Sequence, residues 1–116
     1  MSTPTNAALA NATVEELGSE NAVPHVRELT EDGCPEEMVA LAKENFGKLD
    51  GLVNNAAFVT WSSLESTDRD YFRKVLEVNT IAPLALIQAA LPDLKENGGN
   101  VVNIGSVNAH CGEPTL

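Results

Sequence analysis

The chain has 116 residues, enough for one domain and too few for two. Asp and Glu number 17 against 7 Lys and Arg, a formal net charge of −10, so nucleic-acid backbones and anionic membrane surfaces would be repelled rather than bound. Cys34 and Cys111 lie far apart with no Cys-x-x-Cys or His-rich companion. This excludes a disulfide framework and a zinc site and reads as reduced thiols of a cytoplasmic protein, with no metal expected.

The opening Met1-Ser2-Thr3-Pro4-Thr5 has no basic n-region, and no secretory signal is expected. Residues 1–4 are expected to be disordered and residues 5–116 to form the folded part. Between Thr5 and Leu17 the residues Leu9, Ala10, Thr13, Val14 and Leu17 recur at helical spacing, with Gly18 placed to stop the helix. Val23 to Leu29 has strand character, with Pro24 moving it toward an edge. Gly33-Cys34-Pro35-Glu36-Glu37 starts a second helix: Pro needs no partner for its missing N–H in the first turn, and the carboxylates face the positive helix end. Met38, Leu41, Ala42 and Phe46 should form its buried stripe, and Gly47 closes it.

Gly51 to Asn54 is apolar without alternation, the pattern of a parallel strand covered on both faces, and Val101 to Ile104 repeats it. Between them Thr67-Asp68-Arg69-Asp70 resembles a helix start, and apolar periodicity runs from Tyr71 to Leu94. Pro83 removes a backbone donor and should bend that helix four residues after Asn79. Leu84, Ile87, Leu91 and Leu94 fall on one face and Ala82, Ala85, Leu86 and Ala89 to its side, so the helix should meet both the sheet and something else. Its most apolar stretch, Ile81 to Leu91, is broken by Pro83 and Gln88 and falls well short of the ~20 residues of a membrane span. Helices alternating with such strands predict an α/β fold with a parallel sheet.

The run Leu49-Asp50-Gly51-Leu52-Val53-Asn54-Asn55-Ala56-Ala57, then Asn79 inside the long helix, then Val101-Val102-Asn103-Ile104-Gly105-Ser106, together resemble the middle of a classical short-chain dehydrogenase/reductase. Asn79 lies 25 residues after Asn54, and Ser106 a further 27, close to the spacing of that family. The resemblance implies a partial Rossmann fold, a doubly wound parallel sheet lacking its first two strands and the Gly-rich turn that cradles pyrophosphate, and truncated at both ends. Its strand order implies that Gly51–Asn54 and Val101–Ile104 are parallel neighbours and that the Val23–Leu29 strand has lost the strands between, so that it should be irregular or non-natively paired. The family's Tyr-x-x-x-Lys is expected about a dozen residues after the Ser. Here the only Tyr is Tyr71, and no Lys follows Lys95.

The resemblance also assigns roles. Ser106 would donate a hydrogen bond to the substrate oxygen, and Asn79 would hold a water of the proton relay through its backbone carbonyl. Asn54, Asn55, Ala56 and Ala57 would run beside the adenosine ribose, where Ala57 replaces the family's Gly at a cost only if φ is positive. Glu28 and Leu29 would meet the adenine, and Ile104 and Gly105 lead the chain to the cofactor edge. His110 reads as a loop histidine. The implied activity is hydride transfer between NAD or NADP and a small alcohol or carbonyl substrate, in a homo-oligomer formed through the long helix. General acid–base catalysis by Tyr and Lys is worth about 10²–10⁴ in rate, so the 116-residue chain is expected to be inactive alone. The alternative is a non-catalytic α/β interaction module on the same fold. An extended, epimerase-like branch fits Asn-Asn-Ala-Ala and Val-Asn-Ile-Gly-Ser less well.

Overall fold

The computed structural model describes residues 7–59 and 61–111. In chain order these form α1 (Ala7–Leu17), α2 (Cys34–Phe46), β1 (Gly51–Asn54), α3 (Arg69–Leu76), a π-helical turn (Glu77–Ile81), α4 (Ala82–Asn97), β2 (Asn100–Asn103) and a short 3₁₀ turn (Val107–Ala109). The expected disorder of residues 1–4 lies outside the described residues. β1 and β2 pair in parallel with Gly51 opposite Asn100 and Asn54 opposite Asn103, so both strands end on the same side. The crossover between them is the continuous α3–π–α4 helix, which packs against α2 and β1.

The core is small. Ala82, Leu86, Ala90 and Leu94 recur at helical spacing along α4 and bury one face, with Cys34 at the start of α2 and Phe58 after β1. Of the two apolar faces expected of the long helix, the one with Ala82 and Leu86 is core, whereas Leu84 and Leu91 are exposed. Asp93, also buried, receives Lys43 Nζ at 2.6 Å and ties α4 to α2. The pair holds the Lys43 ammonium above its ordinary pKa, chiefly through the hydrogen bond to Asp93. Gly99 sets how closely the end of α4 approaches β1: a Cβ there would lie 2.6 Å from the Asp50 carbonyl oxygen and 2.7 Å from Leu94 Cδ2.

Val23 to Leu29 is irregular, as expected of a segment with neither neighbouring strand alongside it. Two expectations need correction. Phe46 is exposed, and Cys34 and Pro35 are the buried residues of α2. The expected limit on apolar helix length also fails. Arg69–Asn97 runs as 29 continuous helical residues, long and apolar enough to cross a membrane by length and composition. Pro83 is absorbed by the π turn rather than ending the helix. The Lys43–Asp93 pair and the contacts with α2 and β1 are the packing of a helix on a globular core.

Candidate functional site

Both strands deliver their carboxyl ends to one edge. There Asn54 is buried and its Nδ2 donates to Asn103 Oδ1 at 2.8 Å, while the Ile104 N–H donates to the Asn54 carbonyl at 2.9 Å. Two adjacent strand ends are thereby fixed by one side-chain and one backbone bond. Asn54 Oδ1 is buried with no partner among the described residues. Asn55, Ala56 and Ala57 then run exposed across the top of the sheet. Ala57 has no positive φ, so its methyl group carries no backbone strain and stands where glycine is not required.

Asn79 sits in the π turn. The Pro83 nitrogen carries no proton for the Asn79 carbonyl four residues back, and the helix widens instead of breaking; the Ala82 N–H reaches the Glu77 carbonyl. The Asn79 side chain faces away from its own helix. Its Oδ1 accepts the Phe58 N–H at 2.7 Å and its Nδ2 donates to the Phe58 carbonyl at 2.9 Å, so one carboxamide satisfies both backbone groups of the residue after Asn-Asn-Ala-Ala. The Phe58 ring lies 5.5 Å from that of Tyr71, with Lys74 Nζ 5.1 Å above its centroid.

Ser106 follows β2 in extended conformation, and its Oγ accepts the Asn108 N–H at 3.2 Å, capping the 3₁₀ turn. With that acceptance made, the hydroxyl proton can be directed elsewhere. Ser106 and Asn79 line a common cleft of about 690 Å³ with Phe58, Phe72 and Val75 as apolar walls. They also line a second cleft of about 530 Å³ with Ala57, Ile104 and Gly105. Ser106, Asn79, Ile104, Gly105 and the Asn-Asn-Ala-Ala run thus share one edge.

Leu29 reaches that edge from the other side, lining a cavity of about 120 Å³ with Asn55 and Ala56. Glu28 lies outside this cavity, and its side chain makes no hydrogen bond among the described residues. Beside it Arg27 bridges Glu31 and Glu37; the Arg27 hydrogen bond holds the Glu37 carboxyl below its ordinary range, and the guanidinium is raised in turn. Burial pushes the Cys34 thiol up, as befits an inert core sulfur. His110 donates its backbone N–H to Val107 and closes the 3₁₀ turn. Phe58, Arg69 and Asn108 are site residues that sequence reasoning missed; only the position of Phe58 directly after Asn-Asn-Ala-Ala could have flagged one of them.

A family model described as enoyl-(acyl carrier protein) reductase matches residues 2–116. The chain belongs to the short-chain dehydrogenase/reductase family. Among relatives of this family, trans-4-hydroxycyclohexanecarboxylate dehydrogenase of Sinomonas cyclohexanicum is 41% identical over 69 residues, covering 60% of this chain and 27% of that protein. L-fucose dehydrogenase of Rattus norvegicus is 34% identical over 87 residues, covering 74% of this chain and 32% of that protein. A short-chain dehydrogenase/reductase from Saccharomyces cerevisiae superposes with a TM-score of 0.83 at 28% identity, over 90% of this chain and 41% of the other. A short-chain dehydrogenase from Streptomyces avermitilis, 24% identical, shares the fold with a TM-score of 0.84, over 96% of this chain and 41% of the other. The chain spans about a third of the length of these curated relatives. The two-stranded parallel sheet with its crossover helix is accordingly part of a Rossmann fold, and the relatives are oxidoreductases.

Proposed function

We propose that this chain supplies the central part of a nicotinamide-dependent oxidoreductase acting on an alcohol or carbonyl compound. The observation that carries the reading is the meeting of Ser106 and Asn79 in one cleft at the carboxyl ends of two adjacent parallel strands, where ligands of open α/β sheets bind. Ser106, its Oγ oriented by the Asn108 N–H, donates its proton to the substrate oxygen as charge develops there. Asn79 uses its side chain on Phe58, which leaves its backbone carbonyl, denied a proton by Pro83, as the group that holds a relay water.

NAD or NADP fits the uncovered strand edge. Ala56 and Ala57 are small, and a Cβ at Gly105 would meet nothing within 4 Å, so a dinucleotide can approach the backbone closely. Asn54, Asn55, Ala56, Ala57, Ile104 and Gly105 would line its path, with Leu29 and Glu28 at the adenine end. When bound, it supplies or accepts the hydride. These 116 residues contain neither a Gly-rich turn for the pyrophosphate nor a Tyr-x-x-x-Lys, and we assign the isolated chain no activity. Free Cys34 and Cys111 suit a cytoplasmic location.

The coding frame on either side of these residues tests the reading. A Gly-rich turn upstream and Tyr-x-x-x-Lys downstream support it, and in that longer protein Ser106→Ala should lower kcat about 10²–10³-fold with cofactor affinity unchanged. Retention of full activity by Ser106→Ala would remove that role from Ser106, and a frame that closes at both ends favours an interaction module instead.

A further inference from the structure

We infer that the larger cleft beside Ser106 selects a substrate with a hydrocarbon body and a carboxylate, the carboxylate being received by Arg69. The inference rests on the oxidoreductase reading of Ser106 and adds the substrate class. At about 690 Å³ the cleft is of the size that holds a small organic molecule. Phe58, Val59, Leu64, Phe72 and Val75 are its apolar walls and remove a hydrocarbon surface from water; of the polar residues beside them, Ser62 and Thr67 bond to each other through their hydroxyls and Asn79 spends its carboxamide on Phe58.

Charge sharpens this. The chain carries a net −10, yet among the described residues lining the cleft none is acidic and Arg69 is the one that is charged. The carboxylates near Arg69 in sequence are engaged elsewhere. Asp68 Oδ1 accepts the Asp70 N–H, Asp70 pairs with Arg73, and the Glu65 carboxyl is held below its ordinary range by its own backbone N–H and the Ser63 hydroxyl. Arg69 forms no ion pair among the described residues. A planar guanidinium matches a carboxylate in a two-point contact, which a hydroxyl or amide does not reproduce. Ser106 follows the end of β2 and Arg69 opens α3, so these two groups reach the cleft from different elements. A ketone or secondary alcohol lying between them would present its oxygen to one and its carboxylate to the other.

Ligand-observed NMR titration of the longer protein that carries these residues tests this with three matched probes: 3-benzoylpropionate, its methyl ester, and 4-phenylbutanoate, which lacks the ketone oxygen. The keto acid should bind saturably and the ester about tenfold more weakly, as expected for loss of one charge-assisted contact. Arg69→Gln should abolish that difference, whereas Lys95→Gln, which removes an exposed charge outside the cleft, should preserve it. Equal affinity for acid and ester, a difference that survives Arg69→Gln, or no saturation by the acid up to about 10 mM overturns the inference. The role of Ser106 is judged separately by comparing the keto acid with 4-phenylbutanoate. Discrimination that disappears in Ser106→Ala supports it. Equal binding of the two by the unaltered chain removes that role while leaving the acid-to-ester comparison valid.

Discussion

Asn79 is the residue on which the local geometry turns, because a single carboxamide closes both backbone groups of Phe58 and so sets the path of the chain from β1 toward the cleft. Asn79→Ala leaves an N–H and a C=O without partners, and we expect a loss of about 1–3 kcal/mol in denaturant unfolding, with Asn79→Asp, which keeps the acceptor and loses the donor, in between. A change below about 0.5 kcal/mol would mean that water replaces the side chain. Gly99 is as constrained by its neighbours: Gly99→Ala forces its methyl group against the Asp50 carbonyl and Leu94, and should cost about 1–3 kcal/mol in the same measurement. Asn79 was legible in the sequence through its spacing from Asn54 and Pro83. Its partner Phe58 was not, since a contact across 21 residues leaves no periodic trace. Arg69 and Asn108 were hidden for the same reason, being ordinary polar residues until the fold brings them to one cleft.

At the level of elements, β1 was readable to the residue and β2 to within one, the difference arising because Asn100, a poor strand former, is recruited by pairing with Gly51. The segment from Val23 to Leu29 has strand propensity but is irregular, as expected where no neighbouring strand supplies hydrogen bonds. The long helix was legible in extent and in having two apolar faces, but periodicity alone could not say which of them meets the core. Leu86 is 6% exposed and Leu84 54%. Leu86→Glu, which places a charge in the core, should therefore cost on the order of 3–5 kcal/mol, while Leu84→Glu should change stability by less than about 0.5 kcal/mol. Two ion pairs tie α2 into place and make opposite pH predictions. Glu37, held low by Arg27, stabilises the fold above the ordinary Glu pKa of ~4.3, and that contribution is lost as pH falls through its depressed value. Lys43, held high by Asp93, contributes below the ordinary Lys pKa of ~10.4 and loses its contribution as pH rises through its raised value. Thermal unfolding across pH should show Glu37→Gln flattening the acid limb alone and Lys43→Met the alkaline limb alone; the reverse assignment would contradict these pairings.

The whole molecule exposes 8421 Å², against about 6,100 Å² for a compact monomer of its mass. Its radius of gyration is 16.2 Å, where a compact chain of this length has about 13 Å. The excess surface includes Leu84, Leu91, Phe72, Val53 of β1 and the whole of β2, and α1 buries no residue. Contiguous apolar surface of this kind drives association. Size-exclusion chromatography with light scattering should find concentration-dependent oligomers or an expanded chain, shifted toward monomer by Leu84→Glu and not by exchanging a charge, as in Glu77→Lys. A compact monomer at every concentration would count against this. We propose that these residues carry the Ser106–Asn79 side of a nucleotide-dependent active site without the cradle that holds the nucleotide. Isothermal titration of the 116-residue chain with NADH and NADPH tests it most directly: the account predicts no saturable binding tighter than about millimolar for either, and stoichiometric binding in the micromolar range would contradict it.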